Sequence, residues 1–360
     1  MKCDVLIVGA GPAGCFLGKL LAERGFSVII LEEHERIGEP VECAGLFSTK
    51  VFEVAGISPE KVRGNPIKGA RVISKGSSFE FRANEIKAYS VDRALFDRNL
   101  AERAERAGAE IFLGWKFRGM RDGRALTDHE EFEAEVYVGA DGVRSRMRRE
   151  IGERVGEIIG ASQLETGREI EDDIVEVYPC FSGSYFSWKI PFHERMRVGS
   201  AGRNHADAVR KLSGGGEIKR GAIPVGTVRR SVKGNIILLG DSAGQVKPSS
   251  FGGVYPSLRC AEIAADAIEK TLTQGGSLME YERRWRREIG GELSKGMWIH
   301  RIFHNLGEER WRRLIESMDE KMREMIVEYG DIEEPSRLAG ELIRKRPLKL
   351  FAMFIRMFLS

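Results

Sequence analysis

Three glycines and what flanks them decide how this chain begins to fold. Residues 3–8 (CDVLIV) are a short apolar, β-branched run that reads as a buried parallel strand. Gly9-Ala10-Gly11-Pro12-Ala13-Gly14 follows at once, and apolar Cys15, Leu17, Leu20 and Leu21 continue at helical spacing to a stop at Gly25. A second strand, Ser27–Leu31, ends in Glu32 and Glu33. Gly9 permits a tight turn, and Gly11 lets a pyrophosphate approach a helix N-terminus with its N–H donors and positive dipole end. Gly14 lets the helix lie close to the strand, and a carboxylate closing the second strand can hold ribose hydroxyls. A GxGxxG alone is weak evidence, but here strand, glycines, helix, strand and acid stand in order, with the acid 23 residues past Gly9. The expectation is an α/β dinucleotide-binding unit.

The chain has 360 residues, enough for two substructures or one large α/β domain carrying an inserted sheet. A net charge of only +3 argues against a nucleic-acid partner. Charged residues make up 31% of the chain against three Gln and six Asn, a bias of the kind seen in heat-adapted proteins. The cysteines at 3, 15, 43, 180 and 260 show no CxxC pair or metal-ligand spacing and read as the reduced thiols of a cytoplasmic protein. The chain enters its first strand directly, so no signal peptide is expected, and no apolar run reaches membrane-spanning length.

After Glu33 comes a loop, 34–48, whose Pro40-Val-Glu-Cys43-Ala44-Gly45 suggests backbone held close to something. Residues 66–91 alternate as short antiparallel strands, 92–108 form a helix with Leu95, Phe96, Leu100 and Ala104 on one face, and a meander over 115–138 ends in Val136–Ala140 and Asp141-Gly142. A second strand-rich block covers 157–230, interrupted by a helix near 205–212. Strand Asn235–Leu239 then leads into Gly240-Asp241-Ser-Ala-Gly244, and from Gly252 the chain is mostly helical.

With Gly240-Asp241 in place the chain resembles the FAD-dependent superfamily of aromatic-acid hydroxylases, flavin halogenases and geranylgeranyl reductases. Its members carry an N-terminal glycine motif, an internal Asp-Gly and a later Gly-Asp, here Gly9–Gly14, Asp141-Gly142 and Gly240-Asp241. Two further stretches are similar to the geranylgeranyl reductase branch, including its archaeal lipid reductases. Pro40-x-x-Cys43-x-Gly45 looks like its PxxCxG loop, and Phe186-Ser-Trp188-Lys-Ile190-Pro191-Phe192, with Gly199 seven residues on, looks like its aromatic strand motif. Phe192 stands where that motif prefers Lys.

The resemblance implies a Rossmann-like FAD-binding domain over 1–65, 88–156 and 231–275, an antiparallel substrate sheet from 66–87 and 157–230, and a C-terminal helical region over 276–360. FAD would be held by Gly9, Gly11, Pro12, Ala13, Gly14, Glu32, Glu33, Cys43, Ala44, Gly45, Arg93, Asp141, Gly142, Gly240, Asp241, Gly252, Gly253 and Val254. Arg93 would contact the FAD phosphates. The helix after Gly252-Gly253 would point its N-terminus at the pyrimidine end of the flavin. Cys43, Phe186 and Trp188 would stand at the reacting centre, and Tyr185, Phe186, Trp188 and Pro191 would bind the substrate. The implied activity is saturation of isolated double bonds in polyprenyl chains of archaeal lipid precursors, with NAD(P)H, reduced ferredoxin or a reductase as electron donor.

Plainer readings stand beside these. The aromatic strand is equally a sheet core, Asp141-Gly142 an ordinary turn, Arg93 a solvated helix arginine and Cys43 a packing thiol. His300 and His304, at i and i+4, lack further ligands and read as structural, so no metal is expected. A flavin monooxygenase or halogenase using NAD(P)H and oxygen is the alternative enzyme, although the strand lacks the first Trp of the halogenase Trp-x-Trp-x-Ile-Pro pattern. A flavin electron carrier or lipid-binding protein without catalysis is the non-enzymatic alternative. Residues 340–360 hold five bases and one acid ahead of an apolar end. They read as an interfacial helix, placing the protein peripherally on the inner face of the cell membrane, or as a terminal helix packed on the body.

Overall fold

A computed structural model describes residues 1–350 and 353. Its first layer is an eight-stranded sheet. Strand Lys2–Val8 lies between Val28–Glu32 and Glu131–Gly139, with Glu110–Leu113 and Ile236–Leu238 outside them, all parallel. Lys2–Val8, Val28–Glu32 and Ile236–Leu238 are rich in Val, Ile and Leu, as strands covered on both faces are. One face carries helices Pro12–Ala22, Arg93–Ala107 and Val254–Gln274 over Val5, Ile7, Ile30 and Val138. The other packs Leu6, Ile29, Tyr137 and Leu238 against Phe117, Phe132 and Met147. Gly18 explains how closely the first helix lies, since a Cβ there would stand 2.6 Å from Ile30 Cδ1.

The second layer is a seven-stranded sheet drawn from 66–87 and 157–230. Its order is Lys219–Val225, Glu157–Gly167, Arg195–Ala201, Phe186–Phe192, Ile174–Pro179, Gly69–Ser74 and Ser77–Arg82. A three-stranded patch of Leu46–Ser48, Ala88–Ser90 and Asn65–Ile67 joins the layers, so the end of the expected 34–48 loop is in fact a strand. The aromatic strand runs from Phe186 to Phe192, and its register with Arg195–Ala201 is unbroken from Phe186↔Ala201 to Phe192↔Arg195.

Helices from Met279 onward close the fold. Trp285 is buried and donates to Ser231 Oγ at 2.9 Å, whereas Trp298 is exposed. Among the described residues no helix is long and apolar enough to cross a membrane. The apolar end of the basic tail, residues 351–352 and 354–360, lies outside the described residues. Within the described part, Arg346 and Lys349 pair with Asp319, and Arg344 pairs with Glu341 at 2.6 Å.

Candidate functional site

The three turns singled out in the sequence all follow the C-terminal ends of parallel strands, where α/β sheets bind their ligands. Gly9 holds φ +105°, and a Cβ on it would lie 2.4 Å from Ala140 O, so the glycine turn and the Asp141 turn touch. Gly14 is equally confined, its Cβ position 2.0 Å from Gly9 O. Gly11 differs: a Cβ there would meet nothing within 4 Å. Gly11 caps the first helix with extended backbone and no side-chain cap, Pro12 takes the first helical position, and the amides of Ala13 and Gly14 lie in that uncapped first turn. The open space and the free donors fit a pyrophosphate.

The two adjacent acids have different partners. Glu32 accepts from Ala10 N at 2.9 Å and His34 N at 3.0 Å, which fixes its carboxylate beside the glycine turn. Glu33 is exposed and pairs with Lys116, which holds it below the usual carboxylate range, so it is set apart from the expected ribose position. Asp141 also works inwards. Its carboxylate accepts from Ser145 Oγ and the amides of Arg146 and Met147, capping the short helix there, while Gly142 takes φ +71° beside it. Burial raises the Asp141 pKa, and those bonds oppose the rise. Arg148, which the sequence reading passed over, ties this turn to the next through Val143 O at 2.6 Å and Ser242 O at 3.1 Å.

Gly240, at φ +71°, is the junction of the site. A Cβ on it would be 3.2 Å from both Ala13 Cβ and Ser257 Oγ. It thus lies between the first helix and helix Val254–Gln274, whose N-cap is Gly253 and which has no side-chain cap. Asp241 stands beside that helix start, with Oδ1 3.0 Å from the Cβ position of Gly253. Gly252 leaves room for Lys247, whose buried ammonium pairs with Glu333 at 2.6 Å. Burial pushes the Asp241 pKa up while Arg93 and Arg148 pull it down, and its carboxylate has no hydrogen-bond partner among the described residues. An unpaired acceptor beside an open helix N-terminus fits the hydroxyls of a ribityl or ribose group.

Arg93 is half-buried and bound in a fork to Asp97 at 3.0 and 2.9 Å. Burial opposes its charge, but Asp97 and then Cys43 hold the guanidinium above its ordinary range. The fork to Asp97 and the packing against Gly45, with Arg93 Cγ 3.6 Å from the Gly45 Cβ position, hold it against the Cys43 loop rather than free on the helix surface. Cys43 is half-buried, and its Sγ accepts from Gly45 N at 3.4 Å. The other four cysteines are buried and unbridged. Ala44 O is bound by Arg197 Nη1 at 2.9 Å, and Cys43 O by Gln163 Nε2 at 2.9 Å. Neither Gln163 nor Arg197 was visible as a site residue in the sequence. Strand Arg195–Ala201 is buried on both faces, so alternation gives no sign of which side Arg197 serves.

Trp188 lies directly opposite Gly199, where a Cβ would stand 2.2 Å from two ring carbons, so the indole is laid flat on the neighbouring strand. Its Nε1 is buried without a partner among the described residues. Phe186 lies 5.6 Å from Trp188 and stacks on Phe251 and His304 at 5.1 and 5.6 Å. Tyr185 packs edge-on against His300 at 5.1 Å. The histidine pair thus belongs to the aromatic wall, and burial carries His304 down to about 4. Pro191 is buried, with its carbonyl taken by Ser90 Oγ, so it joins the two sheets and lines no open face. Phe192 carries the Arg197 guanidinium 4.0 Å above its ring. Among the described residues no group of His, Cys, Asp and Glu is placed to hold a metal ion.

Residues 2–164 match the family described as FAD binding domain, and the cofactor is FAD. The fold is shared with a geranylgeranyl bacteriochlorophyll reductase-like protein of Thermoplasma acidophilum, with TM-score 0.84, 18% identity and 99% of each chain covered. Digeranylgeranylglycerophospholipid reductase 2 of Methanopyrus kandleri is 32% identical, over 96% of this chain and 97% of its own. The reductase of the same name from Methanothermobacter thermautotrophicus is 30% identical over 89% and 93%. The chain belongs to the digeranylgeranylglycerophospholipid reductase family.

Proposed function

We propose that this protein is an FAD-dependent reductase that saturates the isolated carbon–carbon double bonds of geranylgeranyl chains on archaeal glycerol-lipid precursors. The observation that carries the reading is the position of Cys43. Its loop is hydrogen-bonded to the aromatic sheet through Gln163 and Arg197, while Gly45 at its end packs against Arg93, whose Cγ lies 3.6 Å from the Gly45 Cβ position. The whole-length relationship to lipid reductases supports the same conclusion.

When bound by these turns, reduced FAD would supply the hydride for one alkene carbon, and the other carbon would take a proton drawn ultimately from solvent. An isolated alkene is poorly activated, so the protein must align it and keep water away. Phe186 and Trp188 offer the flat apolar wall against which a prenyl chain can lie, and Tyr185, Phe251, His300 and His304 close its end. Cys43 would then stand near the reacting carbon. Asp241 holds sugar hydroxyls, and the start of helix Val254–Gln274 provides a positive dipole end for the anionic side of the reduced cofactor. The lipid is met at a membrane surface through residues 340–360, where Ile343 and Leu348 are 64% and 84% exposed.

The test is to reduce the FAD-loaded protein anaerobically with dithionite in the presence of geranylgeranyl glycerol ether lipid and weigh the product. Gain of two mass units per double bond is expected. Bleached flavin with unchanged lipid would overturn the reading, and a product that forms only with oxygen would assign the chain to the monooxygenase type.

A further inference from the structure

The Cys43 loop belongs to the cofactor-binding half in sequence, yet the inserted sheet holds its main chain. Gln163 and Arg197 are 7% and 5% exposed, and each spends a side-chain donor on this loop. Gln163 Nε2 donates to Cys43 O at 2.9 Å. Arg197 Nη1 donates to Ala44 O at 2.9 Å and also to Val91 O at 2.7 Å. One guanidinium nitrogen therefore pins two segments, the loop that carries Cys43 and the segment that leads two residues later into Arg93. A second guanidinium nitrogen is committed elsewhere: Nε donates to Glu165 Oε1 at 3.1 Å, and the plane rests on Phe192.

Gly45 is where the clamp passes the backbone. It holds φ +69°, and a Cβ there would stand 2.6 Å from both Arg197 Nη1 and Val91 O. Gly45 also donates its amide to Cys43 Sγ and accepts from Val91 N at 2.8 Å. The main chain that carries the thiol is thus held at two consecutive carbonyls, and the sulfur itself is met by the amide of Gly45. A side chain needed only for packing would not require two buried polar residues from two adjacent strands to converge on consecutive carbonyls. Burying such donors is favourable only when they are matched this closely.

We propose that Arg197 and Gln163 are positioning residues, which hold the Cys43 thiol at its working distance from the reacting alkene. The proposal rests on the reductase reading for the reaction itself, but the geometry of the thiol can be tested without it. The experiment is a cycle of Arg197→Met, Gln163→Met, Cys43→Ala and the two double variants, with Arg197→Lys as the conservative control. Met keeps the length and the apolar contact while removing the donors. Three readouts are needed: kcat for alkene reduction at saturating lipid, FAD content, and the rate of iodoacetamide alkylation. Alkylation reads Cys43 selectively because the other four cysteines are buried.

The expected result is a loss of about 10–100-fold in kcat for Arg197→Met with FAD retained, the size expected when a group near the chemistry shifts by about 1 Å. The same substitution should cost less than about twofold when Cys43 is already Ala, because groups that act as a unit are not additive. Arg197→Lys should recover part of the loss, and Met at either position should change the alkylation rate several-fold. An equal loss in both backgrounds would make the clamp an interdomain fastening only, and an unchanged alkylation rate would overturn the proposal. If Arg197→Met does not fold, Gln163→Met and Arg197→Lys decide by the same two readouts. If the wild-type protein reduces no alkene, the reductase reading fails, and alkylation still answers for the clamp.

Discussion

Replacing Gly199 with Ala adds a single methyl group, and the structure fixes where it goes. The new Cβ would stand 2.2 Å from Cε2 and Cζ2 of Trp188 and 2.5 Å from its Nε1, well inside van der Waals contact. Gly199 pairs directly with Trp188 across the sheet and is not among the glycines with positive φ, so Ala is compatible with the backbone. The penalty therefore comes from the ring. Either the indole leaves its flat seat or the two strands separate, and overpacking of this kind costs about 1–3 kcal/mol. Against Trp188→Ala the sign reverses: the clash is gone, and Ala in a strand is preferred to Gly by about 0.5–1 kcal/mol. The cycle of the two substitutions should thus show a coupling of about 1.5–4 kcal/mol. Urea unfolding followed by far-ultraviolet circular dichroism measures it, since removing a tryptophan does not remove that signal. Additive costs would mean that Gly199 matters for something other than seating the ring. Loss of lipid turnover in Gly199→Ala, with FAD still bound, should accompany the change because Phe186 lies against the displaced indole.

Gly11→Val should leave a folded protein without FAD, because the side chain enters space that no protein atom occupies; a yellow variant would remove the pyrophosphate from that position. Gly14→Ala should instead lower stability by several kcal/mol, since its Cβ would meet a backbone oxygen at 2.0 Å, and a normal melting curve would refute the packing. Burial takes the His304 pKa from 6.5 to about 4, so between those values the unfolded chain binds a proton that the folded one does not. Stability should therefore fall as pH drops from 7 to 5, by at most about 2 kcal/mol from this residue, and His304→Gln should flatten that slope in urea titrations. Deleting residues 347–360 should abolish co-sedimentation with anionic liposomes; full retention would leave Arg346 and the Asp319 contact to their role inside the protein.

The cofactor half of the site was legible because each of its parts has a local cause. A glycine that must approach a backbone oxygen, a helix that starts without a cap and an acid that ends a strand all leave their mark within a few residues of sequence. Gly9, Gly14, Gly240 and Gly253 have such reasons in the structure. What could not be read locally was how neighbouring groups divide their work. Glu32 and Glu33 are equivalent in the sequence, but strand alternation turns one carboxylate to the glycine turn and the other to Lys116. Asp141 carries the family signature, yet its carboxylate caps a helix of five residues, so its contribution is to shape the turn that Gly9 leans on.

The substrate half was legible only where an aromatic run announced it. Tyr185, Phe186 and Trp188 stood out, but the groups that decide their orientation come from distant parts of the chain: Gly199 from the next strand, Phe251 from the loop before Gly252, His300 and His304 from a C-terminal helix. Phe251 is a sharper case. Its ring lies 5.1 Å from Phe186, and its backbone sits at φ +60°, where a bulky residue is uncommon. The same three-residue stretch, Phe251 to Gly253, therefore shapes both the wall for the chain and the helix start beside Asp241. A change at Phe251 should for that reason alter the alkene and the cofactor together, whereas a change at Arg197 should alter the reactivity of the thiol while FAD is retained. That difference separates a residue that builds the junction of the two half-sites from one that aims a single group across it.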